Sequence, residues 1–132
     1  EDSSDIENLI NSWNSNTCEI LLGLKKKEDY QGYDGNNFGG GDFNLDKKTG
    51  SLIKFQNSPM THVFVGLQII NPKILQKSFV KDLGKCFSMS EFYKSATKEN
   101  GDVTNIKGTE LIGKYFHIGT VSAIKTTENT LF

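Results

Sequence analysis

The sequence predicts an α/β domain with a mixed β-sheet flanked by helices. Three observations carry that expectation. An amphipathic segment, SSDIENLINSWN (3–14), runs into a mostly apolar one, TCEILLGL (17–24), which is the helix-then-buried-strand step of a layered α/β fold. HVFVGLQII (62–70) is a long apolar run ended by Asn71-Pro72, the pattern of a buried strand. SMSEFYKSATKENG (88–101) opens on an S-x-x-E pair and closes on glycine, which brackets a further helix.

In 3–14, Ile6, Leu9, Ile10 and Trp13 fall at i, i+3, i+4 and i+7, one helix face. Ser3 or Ser4 supplies a cap, and Asp5 and Glu7 sit in the first turn, where the helix dipole favours acids. Residues 25–41, KKKEDYQGYDGNNFGGG, hold five of the thirteen glycines and read as a loop. Such a loop is either a surface excursion or a lid, and its three lysines read as a solvated face. DFNLDKKTGSLIKF (42–55) reads as a hairpin turning at Lys48-Thr49-Gly50. Gly66 interrupts the strand at 62–70 and marks a bulge, or the close approach of a ligand or backbone. PKILQ then opens a short helix with proline first. In 88–101, Ser88 and Glu91 form a capping box and Phe92, Tyr93 and Ala96 an apolar stripe. DVTNIKG (102–108) and KYFHIG (114–119) are short strands, and Thr120 caps a last helix carrying Val121, Ala123, Ile124 and Thr127. The order is α, β, β-hairpin, β, α, β, β, α, with Gly41, Gly66 and Gly119 along the strands and their ends.

The 132 residues suffice for one domain or part of a larger one. With 36% hydrophobic and 23% charged residues, a packed core is affordable. The net charge is −1 and all 15 basic residues are lysine. A chain without a basic patch or any arginine is a poor nucleic-acid binder. Cys18 and Cys86 lack metal-ligand spacing and read as free thiols in a reducing, cytoplasmic setting. No run approaches the ~18 apolar residues of a membrane helix. The chain starts at Glu1, without Met, directly on a helix signal, and the natural protein is expected to begin earlier.

Few residues here carry chemistry by pattern alone. GGGD (39–42) lacks the G-K-[ST] of a phosphate-binding loop, and no Ser-His-Asp elbow, C-x-x-C or H-E-x-x-H is present. His62 begins a strand and reads as structural. Asp42 reads as a turn residue or as a strand-end group facing a ligand. His117, in YFHIGT (115–120), reads as a satisfied strand-end histidine or as a cleft residue.

Taken in order, GDFNLD…G-x-L, FVGLQIINPKIL, FSMSEFYKSA and YFHIGT-x-x-A-I-x-x-TE resemble the sugar-1-phosphate nucleotidyltransferase family. The resemblance is to its N-acetylmuramate-1-phosphate uridylyltransferase and mannose-1-phosphate guanylyltransferase-like branches, and it runs from Asp5 to Glu128. It implies a Rossmann-like nucleotidyltransferase fold with a mixed sheet. It also implies attack of a sugar 1-phosphate on an NTP α-phosphorus, with Mg²⁺ as cofactor and pyrophosphate released. On that resemblance Gly41 and Gly66 lie against the sugar and Asp42 beside it. Phe116 and Thr120 contact substrate, and His117 is the catalytic-cleft residue.

The departures matter as much. Relatives supply a metal aspartate in W-x-D-x-G-T, where this chain has His117. Magnesium prefers oxygen ligands, so His117 is expected to meet phosphate or metal-bound water rather than the ion. KFQNSP (54–59) stands where many relatives have E-K-P. The family's opening G-x-G-x-R half, with its first metal aspartate, has no counterpart here. Residues 1–132 are therefore expected to be the C-terminal, sugar-side portion of one nucleotidyltransferase domain, inactive without the other half. The alternatives are a non-catalytic sugar-phosphate-binding or regulatory module, and a purely structural piece covering a sheet edge.

Overall fold

The computed structural model of the chain describes residues 3–34, 40–55 and 58–132. In these residues the protein is a mixed α/β structure, with helices α1 (Ser3–Ser12), α2 (Ser78–Asp82), α3 (Ser90–Ala96) and α4 (Val121–Leu131). Its strands are β1 (Ile20–Lys26), β2 (Tyr30–Gln31), β3 (Asn44–Leu45), β4 (Leu52–Ile53), β5 (His62–Ile70), β6 (Asp102–Val103), β7 (Ile106–Glu110) and β8 (Tyr115–Phe116).

Strand β1 is the centre. It pairs antiparallel with β5 and parallel with β7, so the expected mixed sheet is present in the order β5-β1-β7. Its apolar run is explained by burial on both faces. Ile20, Leu22 and Leu24 point into the main core with Phe43, Leu52, Ile74, Phe92 and Ile106, while Leu21 packs with Leu9, Cys18, Trp13, Leu67 and Ile69 on the other side. Burial raises the Cys18 thiol above its ordinary pKa; Cys86 is an exposed free thiol.

The expected hairpin forms, short, as β3 and β4. Asp46 builds its turn, accepting Lys48 N–H at 2.9 Å and the Thr49 hydroxyl at 3.0 Å. The expected bulge also forms: register shifts between Leu22 and Leu24, and Gly66 sits at φ 92°. Thr120 caps α4 by accepting Ala123 N–H at 3.1 Å.

Several expectations are corrected. The face of α1 is rotated. Ile6 and Ile10 are 51% and 58% exposed, whereas Asp5 and Leu9 are buried. The cause is Asp5, whose carboxylate accepts Ile112 N–H at 3.0 Å and Gly113 N–H at 2.7 Å. A carboxylate satisfied by two backbone amides is worth more than turning two isoleucines inward. Residues 25–31 are not loop. Lys25 and Lys26 continue β1, Lys27–Asp29 form a 3₁₀ turn, and β2 pairs parallel with β8. Lys25 is not solvated either: it is buried and donates to Leu111 O at 3.1 Å and Gly113 O at 2.7 Å. Residues 35–39 of the expected lid, and Gln56-Asn57 of KFQNSP, lie outside the described residues.

The segment 102–108 is two strands rather than one. Asn105, at φ 62°, breaks it, so β6 joins β4 and β3 in a second sheet while β7 joins β1. Its carbonyl accepts Glu19 N–H at 2.7 Å, which holds the break in place. Helix α3 stops at Ala96, because Thr104 N–H donates to Ala96 O at 2.8 Å and Thr97 bridges Val103. At its start, Ser88 Oγ accepts from Ser90 N–H at 3.2 Å while Glu91 pairs with Lys94 at 3.2 Å, so the reciprocal capping box does not form.

His62 has the structural role expected. It is buried, with Nδ1 2.7 Å from the Thr61 hydroxyl and Nε2 2.9 Å from Glu110, which in turn pairs with Lys47 at 2.7 Å. Burial pushes the Glu110 carboxyl up, but its bonds to His62 and Lys47 outweigh this and hold it below its ordinary pKa. A lowered carboxylate pKa contributes stability above the unfolded value, lost as pH falls through the folded one. The urea midpoint of Glu110→Gln should therefore lie below wild type at pH 7, and the gap should close below about pH 4. A gap that is constant with pH would refute this.

Candidate functional site

The expected site residues fall into two groups joined by a residue the sequence reading did not single out. The first group is the turn entering β3. Gly41 has φ 85°, and a Cβ there would overlap the Met60 carbonyl oxygen and stand 2.7 Å from its carbon. The protein's own backbone is therefore enough to require glycine at position 41. Asp42 follows, and its Oδ2 accepts Phe64 N–H at 2.9 Å. Lys54 Nζ donates to Asp42 O at 3.1 Å and lies 4.8 Å from the centre of the Phe43 ring.

Asp42 thus sits beside β5 just ahead of the bulge. Among the described residues, a Cβ on Gly66 would meet nothing within 4 Å. Of the two glycines, only Gly66 leaves open space for something else to approach. Tyr93 stands near: its ring packs edge-on to Phe43 and Phe64, its hydroxyl donates to Gln68 Oε1 at 3.2 Å, and burial first, then the Asp42 charge, raises its pKa.

The second group lies where β8 leads into α4. The His117 backbone N–H donates to Gln31 O at 2.7 Å, continuing the β2–β8 pairing. Its imidazole stands edge-on to Tyr30 and Tyr33, with ring centres 5.7 Å and 6.2 Å away. It also lies over Gly119, where a Cβ would come 2.7 Å from Nε2. Among the described residues neither ring nitrogen is hydrogen-bonded, and neither is sealed from solvent.

Tyr33 joins the groups. Its ring stacks on Tyr30 at 5.7 Å, and its hydroxyl oxygen accepts Gly41 N–H at 3.0 Å. Burial, then the neighbouring Tyr33, raises the Tyr30 pKa. The YQGY pattern within the glycine-rich stretch was the available signal for this aromatic corner, but loop composition masked it.

Phe116 and Thr120 are not drawn into this arrangement. Phe116, the last residue of β8, lines a separate cavity of about 290 Å³ with Lys25, Gly113 and Thr130. The Thr120 hydroxyl is engaged as the α4 cap and lies 3.1 Å from Ser122 Oγ. Among the described residues no three His, Cys, Asp or Glu side chains are grouped to hold a metal ion. His117 stands against two tyrosine rings and brings no oxygen ligand of its own, the kind Mg²⁺ prefers. No helix of the described residues is long and apolar enough to cross a membrane.

Comparison of the chain with protein-family models, with characterised proteins and with solved structures gave no match in any of the three.

Proposed function

We propose that this chain is the sugar-side portion of a Rossmann-like sugar-1-phosphate nucleotidyltransferase acting in the cytoplasm. In this reading it receives a sugar 1-phosphate, while the NTP and Mg²⁺ are held mainly by a G-x-G-x-R half of the same enzyme. One observation carries the reading: among the described residues the bulge glycine Gly66 faces open space, two residues along β5 from Phe64, whose N–H the Asp42 carboxylate accepts. A glycine held at positive φ with an empty approach, on the strand that a carboxylate grips two residues earlier, suits a sugar ring whose hydroxyls need carboxylate acceptors. Positioning and electrostatics dominate chemistry of this kind. The chain's own contribution would be to bind and orient the acceptor. Gly66 gives room, Asp42 accepts from sugar hydroxyls, and His117 meets the phosphate side.

A second reading, a non-catalytic sugar-phosphate-binding or regulatory module, draws on His117. Its ring stands against Tyr30 and Tyr33, and among the described residues it belongs to no group of three metal-ligating side chains.

Both readings require acceptor binding, tested by ³¹P NMR titration of the chain with N-acetylmuramate 1-phosphate and mannose 1-phosphate. Wild type should shift at least one phosphate signal. Gly66→Ala, which puts a methyl into the open approach, should weaken that binding about tenfold or more. Binding of neither sugar phosphate would sink both readings. Pyrophosphate release by a longer protein carrying the G-x-G-x-R half separates the enzyme from the module.

A further inference from the structure

We propose that Tyr33 is a positioning residue that holds the Gly41–Asp42 turn in register with His117. The inference deepens the sugar-phosphate reading and relies on it only for the ligand.

Tyr33 is anchored from behind. Its N–H donates to Tyr30 O at 3.2 Å, and the preceding Gly32, at φ 77°, is wedged so that a Cβ would stand 2.7 Å from His117 O and 3.1 Å from the Ala123 Cβ. The residues 30–33 are therefore fixed on β8 and α4 before the side chain is considered. From that base the Tyr33 ring covers two rings, Tyr30 face-on and His117 edge-on, and its hydroxyl reaches Gly41 N–H, eight residues on.

The consequence is directional. Gly41 N–H is bonded through an acceptor whose ring position depends on the imidazole. The next residue, Asp42, carries the carboxylate that holds Phe64 N–H on β5. A simple loop staple would also need the hydroxyl, but it would be indifferent to His117.

Amide hydrogen exchange and binding on four chains separate these cases: wild type, Tyr33→Phe, His117→Ala and the double variant. Tyr33→Phe keeps the ring and removes the acceptor, so Gly41 N–H should exchange about tenfold faster. His117→Ala should also speed Gly41 exchange in the Tyr33 background, and should add nothing in the Tyr33→Phe background. Unchanged Gly41 exchange in Tyr33→Phe would overturn the proposal, and so would a His117→Ala variant with wild-type Gly41 exchange. Tyr33→Leu, which removes ring and hydroxyl together, should match or exceed the Tyr33→Phe effect. Where wild type binds mannose 1-phosphate, Tyr33→Phe should weaken binding several-fold. Absence of wild-type binding would remove the sugar-phosphate reading and leave the exchange results to decide Tyr33.

Discussion

Gly41→Ala is expected to unfold or nearly unfold the protein at room temperature, whereas Gly66→Ala is expected to leave it folded. Both glycines have positive φ, at 85° and 92°, so both alanine variants carry left-handed strain of about 1–2 kcal/mol. They differ in what the new methyl meets. At Gly41 it collides with the Met60 carbonyl, and backbone cannot swing aside as a side-chain tip can. Backbone bonds hold the segment on either side: Met60 N–H to Gly40 O at 2.9 Å, Asp42 N–H to His62 O at 2.7 Å and His62 N–H to Phe43 O at 2.9 Å. Relief of the clash means breaking part of that ladder, beside the buried Phe43. The expected cost exceeds about 4 kcal/mol, in the range reserved for backbone and core disruption. At Gly66 the methyl enters open space and only the strain remains. Urea denaturation of both variants checks the contrast. Equal destabilisation would show that the Met60 contact does not exist in solution, and would weaken the case that Gly66 alone faces a ligand.

Asp5→Ala is expected to lower stability by about 3 kcal/mol, because hydrogen bonds to a charged group contribute about 1.5–3 kcal/mol and two are lost together. For a domain of this size that is about 10 °C in Tm. Asp5 and Lys25 grip the same turn from opposite chemical sides, the carboxylate taking the N–H groups of Ile112 and Gly113, and the ammonium the carbonyls of Leu111 and Gly113. Leu111 beneath the turn is buried against Gly23, so loosening the turn reaches the core. Lys25→Met keeps the apolar stem and should cost less. The double variant should cost less than the sum, since either change already frees the turn. Calorimetric melting checks this, and a Tm for Asp5→Ala within about 2 °C of wild type would refute the clamp.

By itself the sequence determined the elements whose local signals were self-sufficient. The run 20–24 had to be buried because it offers no polar face. Gly66 had to mark a bulge or a close approach, the choice between them left open, and Thr120 had to cap because its hydroxyl stands directly before a helix-forming segment. The mixed α/β class follows from those elements. Tertiary structure decided whatever depended on a partner distant in the chain. Asp5 is buried because two amides more than a hundred residues away accept it as a neighbour, and periodicity along α1 carries no trace of them. The 102–108 segment divides at Asn105 because its first end pairs with β4 and its second with β1, in different sheets. Gly41 and Gly66 look alike in sequence, and only packing shows that one is filled by backbone and the other left open. Tyr33 touches the His117 ring and accepts Gly41 N–H, and a ring–ring contact and one hydrogen bond leave no periodicity to read.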